Sequence, residues 1–177
     1  MSEPQRWLVM GASGAGKSTL ARRMGQILGL PVVHLDYHYW HAGWVPTPDD
    51  EWAEVVRELS RTDSWVMDGN YSRTLQERLP YAQEGVLLDF PPWVCLYRVL
   101  KRAFGGGPRP DIPPGCTKDA LDLDFIWWVV SYRWRSRPKV LKRFAEHPDI
   151  PLTVLRSERH VELFVRELAR SGAPEAR

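Results

Sequence analysis

Apolar and polar residues succeed one another in short blocks, and the blocks predict strands and helices in alternation. Residues 6–10 (RWLVM) are an apolar run stopped by Gly11, the mark of a buried strand. Residues 18–28 carry Leu20, Met24, Ile27 and Leu28 at helical spacing, with Gly29 placed to end the helix. A second strand is predicted over 31–35 (PVVHL), followed by a polar and aromatic stretch over 36–48 with no period of its own. Thr47 or Asp49 is suited to cap the next helix, in which Trp52, Val55, Val56 and Leu59 share one face. Residues 64–67 (SWVM) read as a third strand, with Asp68, Gly69 and Asn70 at its carboxyl end, and 71–79 as a short helix or loop. Residues 85–88 (GVLL) make a fourth strand closing on Asp89, and 93–104 a helix.

Gly and Pro fill 105–115 (GGGPRPDIPPG) so densely that regular structure is excluded, and a loop of that length is functional or disordered. Residues 120–134 and 138–146 predict two helices broken at Pro138, 152–155 (LTVL) a fifth strand, and 158–169 a final amphipathic helix. Strands alternating with helices predict a parallel sheet covered on both faces.

A chain of 177 residues suits one domain, and 44% hydrophobic against 26% charged residues excludes wholesale disorder. The longest apolar run, 125–130 (FIWWVV), is far short of the ~20 residues that span a bilayer. No basic start followed by an apolar stretch reads as a secretion signal, and two cysteines, Cys95 and Cys116, are too few for a disulfide scaffold or zinc site. A reduced cytoplasm and no membrane partner are the expectation. The net charge of +2 hides an asymmetry: residues 1–90 hold 8 basic against 12 acidic side chains, and 91–177 hold 16 against 10. Most of the excess lies in 98–143. That positive field beside an acidic half points either to an anionic ligand or to a solvated basic helix face.

The chemistry enters with Gly11-Ala12-Ser13-Gly14-Ala15-Gly16-Lys17-Ser18-Thr19, a full match to G-x-x-x-x-G-K-[ST] between a predicted strand and helix. Its glycines let successive backbone N–H groups turn toward phosphate oxygens, and the following helix adds its positive end. Lys17 is placed for the β- and γ-phosphates and the Ser18 hydroxyl for Mg²⁺. The chain is therefore expected to bind a nucleoside triphosphate. A guanine motif is missing, since Thr117-Lys118-Asp119 has the wrong spacing, and neither Asp68 nor Asp89 is followed by the Glu of a motor ATPase. A small kinase remains.

With this loop in place, the chain resembles the adenylate-kinase-like group of P-loop kinases. Those enzymes carry D-G-F-P-R-T-x-x-Q after the third strand, where this chain has Asp68-Gly69-Asn70-Tyr71-Ser72-Arg73-Thr74-Leu75-Gln76. The resemblance is closer to the bacterial topology-modulation proteins. It is carried by the P-loop, Leu35-Asp36 followed by aromatics and Gly43-Trp44, Trp65-Val66-Met67-Asp68-Gly69-Asn70-Tyr71-Ser72, and Leu88-Asp89-Phe90-Pro91 leading to Arg98 and Arg102. It implies a three-layer α/β P-loop NTPase fold with a five-stranded parallel sheet and helices on both faces. One domain over 1–177 would carry an acceptor-binding segment near 36–62 and a lid near 104–137.

By the same resemblance, Gly11, Ser13, Gly14, Ala15, Gly16, Lys17, Ser18 and Thr19 cradle ATP with Arg98 and Arg102, and Ser18 and Asp68 attend Mg²⁺. Arg73, Gln76 and Gly69 face the acceptor. Asp36 ends the second strand at the ligand-binding edge of the sheet, where related kinases keep an Asp that deprotonates the acceptor hydroxyl or holds Mg²⁺ through water. Tyr37, Tyr39, Trp40 and Trp44 either sandwich a ring or cover the core. His34, His38 and His41 lack helical ligand spacing, and a metal is not expected on them. Arg98, Arg102, Arg109, Arg133, Arg135 and Arg137 are candidates for the lid cation that stabilises the transferring phosphoryl group, with Arg102 and Arg137 favoured. The expected reaction is ATP-dependent phosphorylation of a small acceptor by a monomer or homodimer. The rival is a nucleic-acid-associated regulator using the basic stretch with Trp127, Trp128 and Trp134.

Overall fold

A computed structural model describes residues 5–105, 110–116 and 121–171. In chain order its elements are β1 (Arg6–Gly11), α1 (Lys17–Leu28), β2 (Val32–His34), α2 (Leu35–Tyr39), β3 (Trp40–His41), β4 (Val45–Pro46), α3 (Asp49–Ser60) and β5 (Trp65–Asp68). Then come α4 (Leu75–Arg78), a 3₁₀ turn (Leu79–Tyr81), β6 (Glu84–Leu88), α5 (Pro92–Gly105), α6 (Leu123–Arg135), α7 (Arg137–Ala145), β7 (Leu152–Leu155) and α8 (Glu158–Ser171). Five strands form one sheet in the order β2-β5-β1-β6-β7, and every neighbouring pair is parallel. The predicted α/β architecture is the observed one.

The sheet is buried on both sides, which is why its strands read as continuous apolar runs rather than alternating ones. Alternation decides which core each residue enters. Val9, Val66, Val86 and Leu88 face one core with Ala21 and Met24 of α1, Cys95 and Val99 of α5, and Val165 and Leu168 of α8. Leu8, Met10, Met67 and Leu87 face the other with Trp52 and Val56 of α3, Leu75 of α4, and Val140 and Phe144 of α7. The register puts Gly11 opposite Leu88 and Val9 opposite Asp68, so the P-loop and the ends of β5 and β6 share one edge.

Residues 36–48 differ from their aperiodic reading. They form the short helix α2 and an antiparallel hairpin, β3 with β4, whose turn carries Gly43 at φ 78° and Trp44 at φ 62°. Thr47 closes this unit: its backbone N–H donates to the Tyr39 carbonyl at 2.9 Å, and its hydroxyl donates to the same oxygen at 2.7 Å. It therefore does not cap α3. That helix begins after Pro48 with no side-chain cap, and Asp49, Asp50 and Glu51 face its positive end instead. The break between α6 and α7 falls at Ser136, with Pro138 in the first turn of α7, where its missing N–H is no loss. Among the described residues no helix is long and apolar enough to cross a membrane, and Cys95 and Cys116 are free and buried.

Candidate functional site

The P-loop runs from the buried Gly11 into α1, and its shape depends on left-handed glycines. Gly16, at φ 95°, precedes the helix, and Gly14, at φ 79°, presses against α5, where a Cβ would collide with the Cys95 carbonyl. Asn70 fixes the start of the loop. Its Oδ1 accepts from the Gly11 N–H at 3.1 Å, and its Nδ2 donates to the Gly11 carbonyl. Lys17 Nζ donates to the Ala12 carbonyl at 3.1 Å, which curls the side chain back over the loop. Ser13 and Lys17 line the cleft described below; Gly11 and Ala15 lie buried beneath the loop, and Thr19 is exposed.

The arginines separate by position. Arg102 Nη2 lies 3.5 Å from Ser13 Oγ and lines the cleft. Arg98 stacks its guanidinium on the chain's own Phe90 ring, 4.8 Å from the centroid, pairs with Glu158, and reaches the Gly14 and Ala15 carbonyls at 3.5 Å. It braces the loop from behind. Arg137, favoured by sequence as a lid cation, is paired with the buried Asp89 at 2.9 Å, and Arg156 approaches the same carboxylate at 3.7 Å. Neither Arg137 nor Asp89 lines the cleft; burial of the carboxylate demands a cation, and Arg137 supplies it. Arg133 and Arg135 are exposed, and Arg109 lies outside the described residues.

Part of the expected lid, 110–116, links the first turn of α1 to the β3–β4 hairpin. The Gly43 N–H donates to the Gly115 carbonyl at 3.2 Å, Cys116 Sγ lies 3.2 Å from the His41 carbonyl, and Ser18 Oγ donates to Asp111 Oδ2 at 3.4 Å. Asp111 was not singled out by sequence, because nothing in a Gly/Pro stretch says which residue returns to the P-loop. The pair fits Mg²⁺: a hydroxyl and a carboxylate are hard oxygen donors, and this ion takes one or two of them beside phosphate and water.

Asp36 occupies the first turn of α2, beyond the carboxyl end of β2, and lines the same cleft as Lys17. The Tyr71 hydroxyl donates to its Oδ1 at 2.6 Å. Burial raises the Asp36 carboxyl above its ordinary value, Lys17 and the Tyr71 bond oppose this, and the charges of Asp68 and Asp111 add to the rise. Asp68 itself is 4% exposed and turned to His34, whose Nδ1 lies 2.6 Å from its Oδ1, and it does not line the cleft. Burial disfavours charge on His34, but the bond to Asp68 and that carboxylate's charge outweigh it and raise the imidazole above its usual value.

The cleft, about 800 Å³, continues from the P-loop along an aromatic wall. Tyr39, Trp52 and Tyr71 meet with ring centroids 4.7–5.0 Å apart, and Trp40 packs edge-on to Tyr39 at 4.8 Å and to Trp44 at 5.4 Å. Tyr71 stands at φ 29°, strained for a side chain of its size, and that turn is what brings its ring into the cluster and its hydroxyl to Asp36. Arg73 and Gln76 also line the cleft. Arg73 is paired with Asp49 at 2.7 Å, and Gln76 Oε1 accepts from Arg143 at 3.3 Å.

Beneath Gly69, Asn70 and Tyr71 lies Arg78, fully buried. Its guanidinium donates to the carbonyls of all three, at 3.1, 2.6 and 3.3 Å. Burial pushes its pKa down to about 10, so it remains charged at neutral pH. An arginine on a short helix gives no sequence signal for this role. Arg78→Met removes the donors while keeping most of the volume: the Gly69 and Asn70 carbonyls lose their arginine donor, while the Tyr71 carbonyl still accepts from Thr74. The expected loss is about 3 kcal/mol, or roughly 6–12 °C in Tm for a domain of this size, read by calorimetry.

No family model matches the chain, and no curated protein matches it. The likeness to the topology-modulation proteins therefore rests on the motif strings alone. Solved structures do match in fold. A gluconokinase from Sinorhizobium meliloti aligns over 98% of this chain and 94% of its own at 18% identity and TM-score 0.54. A shikimate kinase from Bacteroides thetaiotaomicron aligns over 94% and 97% at 15% identity and TM-score 0.53. A protein of Chloroflexus aurantiacus, described as a kinase by inference, aligns over 98% and 100% at 15% identity and TM-score 0.57. The fold is that of P-loop-type kinases.

Proposed function

We propose that the protein is an ATP·Mg²⁺-dependent phosphotransferase acting on the hydroxyl of a small molecule. The observation that carries this reading is the placement of Asp36 and Lys17 on one cleft, with the P-loop at one end and an aromatic wall at the other. Lys17 and the loop's N–H groups hold the triphosphate, and Arg102 adds positive charge where the transferring group passes. Ser18 and Asp111 would hold Mg²⁺, which supplies neutralisation of phosphate charge. Tyr71 fixes Oδ1 of Asp36; Oδ2 receives the acceptor's proton. The acceptor oxygen bonds to the γ-phosphorus as the bridging bond to ADP breaks, and the proton passes to Asp36. A carboxylate whose pKa is raised is a better base for this than an ordinary surface aspartate.

Incubation of the protein with ATP, Mg²⁺ and a mixture of small alcohols is expected to give ADP and a phosphomonoester, resolved by phosphorus NMR. Release of inorganic phosphate alone would replace this reading with a nucleoside triphosphatase.

A further inference from the structure

The charges along the cleft are unevenly answered. Among the described residues that line it, the cations are Lys17, Arg73 and Arg102. Lys17 and Arg102 sit at the phosphate end, against Ala12 and Ser13. Arg73 alone stands at the far end; its side chain is 82% exposed, and its guanidinium is bound to Asp49. Glu77, on the same wall, is bound at 3.0 Å to Arg57. Each of these carboxylates is thus matched by one arginine, and Asp36 adds a further negative group beside the acceptor position. The wall itself is aromatic, with Trp40 and Trp44 at its rim and Tyr39, Trp52 and Tyr71 behind them.

We propose that the acceptor is a non-anionic alcohol, neutral or amine-bearing, with a flat or apolar face. This deepens the phosphotransferase reading and rests on it. A sugar acid or a nucleoside monophosphate would bring its own negative charge toward Asp36, at an end whose single lining cation is exposed, screened by solvent and shared with Asp49, so that Arg73 offers little to offset the repulsion. An uncharged ring stacks on indole and phenol faces without that cost, and an ammonium group gains from them as well as from the carboxylates. A hydroxyl also needs Asp36 to remove its proton, whereas a phosphate acceptor is already anionic. The resemblance to adenylate kinases implied an arginine for an acceptor anion at Arg73; in the structure that arginine lines the cleft and is paired with Asp49.

The test uses the full chain and two readouts on the same compounds. These are nucleosides, aromatic alcohols and sugars; amino sugars and amino alcohols; and sugar acids and nucleoside monophosphates. Binding is followed by tryptophan fluorescence and calorimetry without ATP, and transfer by ADP release. At least one neutral or amine-bearing compound is expected to exceed every anionic one by about 100-fold in kcat/KM and to quench tryptophan emission. Trp44→Ala should raise KM for that compound about tenfold, with KM for ATP within twofold of wild type. An anionic acceptor preferred by tenfold or more would overturn the proposal while leaving the phosphotransferase reading intact. Quenching by neutral compounds with no ADP release from any class would remove the phosphotransferase reading and leave the charge preference standing. No quenching and no turnover from the non-anionic compounds would overturn the proposal outright.

Discussion

Lys17→Ala is expected to abolish phosphoryl transfer and to weaken ATP binding sharply, with the fold retained. Lys17 is the one cleft cation carried by the P-loop itself, and its Nζ already lies against the loop at Ala12. Moving from that carbonyl to the phosphates exchanges a hydrogen bond to a neutral acceptor for one to an anion. Arg102 cannot replace it, because its guanidinium approaches Ser13 from α5 rather than from within the loop. Loss of a preorganised donor to transition-state charge costs about 10²–10³ in kcat, or roughly 2.7–4 kcal/mol, and a full positive charge at the phosphates places Lys17 at or beyond the upper end. Circular dichroism should match wild type, since no core contact is removed. ATP affinity unchanged by calorimetry in the folded variant would take the triphosphate away from this loop.

Asp36→Asn is expected to lower kcat by at least about 10², the low end for loss of a general base, while ATP affinity survives. Asparagine keeps an oxygen to accept from Tyr71, so the local geometry is retained and the lost property is basicity. The pH dependence gives a second readout. Burial raises the Asp36 pKa, so the base is protonated up to a higher pH than an ordinary aspartate with its pKa of about 3.9. Wild-type kcat/KM should fall as pH drops through that raised pKa, and the residual activity of the variant should lack this acid limb. Stability runs the other way. A carboxyl whose folded pKa is raised binds its proton more tightly in the folded state, so its relative stabilisation is present at low pH and is lost as pH rises through the folded pKa. At neutral pH the ionised Asp36 is therefore a cost to the fold, and the Asn variant should melt at the wild-type temperature or above it. Activity near wild type would make Asp36 a turn residue. Low activity with a lowered Tm would instead point to a structural loss.

Local sequence determined the strand and helix order, and with it the parallel sheet. The runs around Leu8, Met67 and Leu87 are apolar on both faces, and the segments between them keep a helical period. The P-loop was equally legible, because its glycines and Lys17 are read by backbone chemistry that travels with the string. Asp36 was placed at the sheet's ligand edge by the end of β2 alone. What the tertiary structure decided was which polar side chains meet. Whether Arg137 faces a phosphate or the buried Asp89, whether Asp68 faces a metal or His34, and whether Arg73 is free for an anion or bound to Asp49 depend on partners 24–48 residues away in the chain. The burial of Arg78 under three carbonyls, the return of Asp111 to Ser18, and the folding of 36–48 into a helix and hairpin closed by Thr47 are of the same kind. Hydrophobic periodicity encodes which face of an element is buried. The pairing of charges is set by the desolvation each group meets once the elements have packed, and no period in the sequence records it.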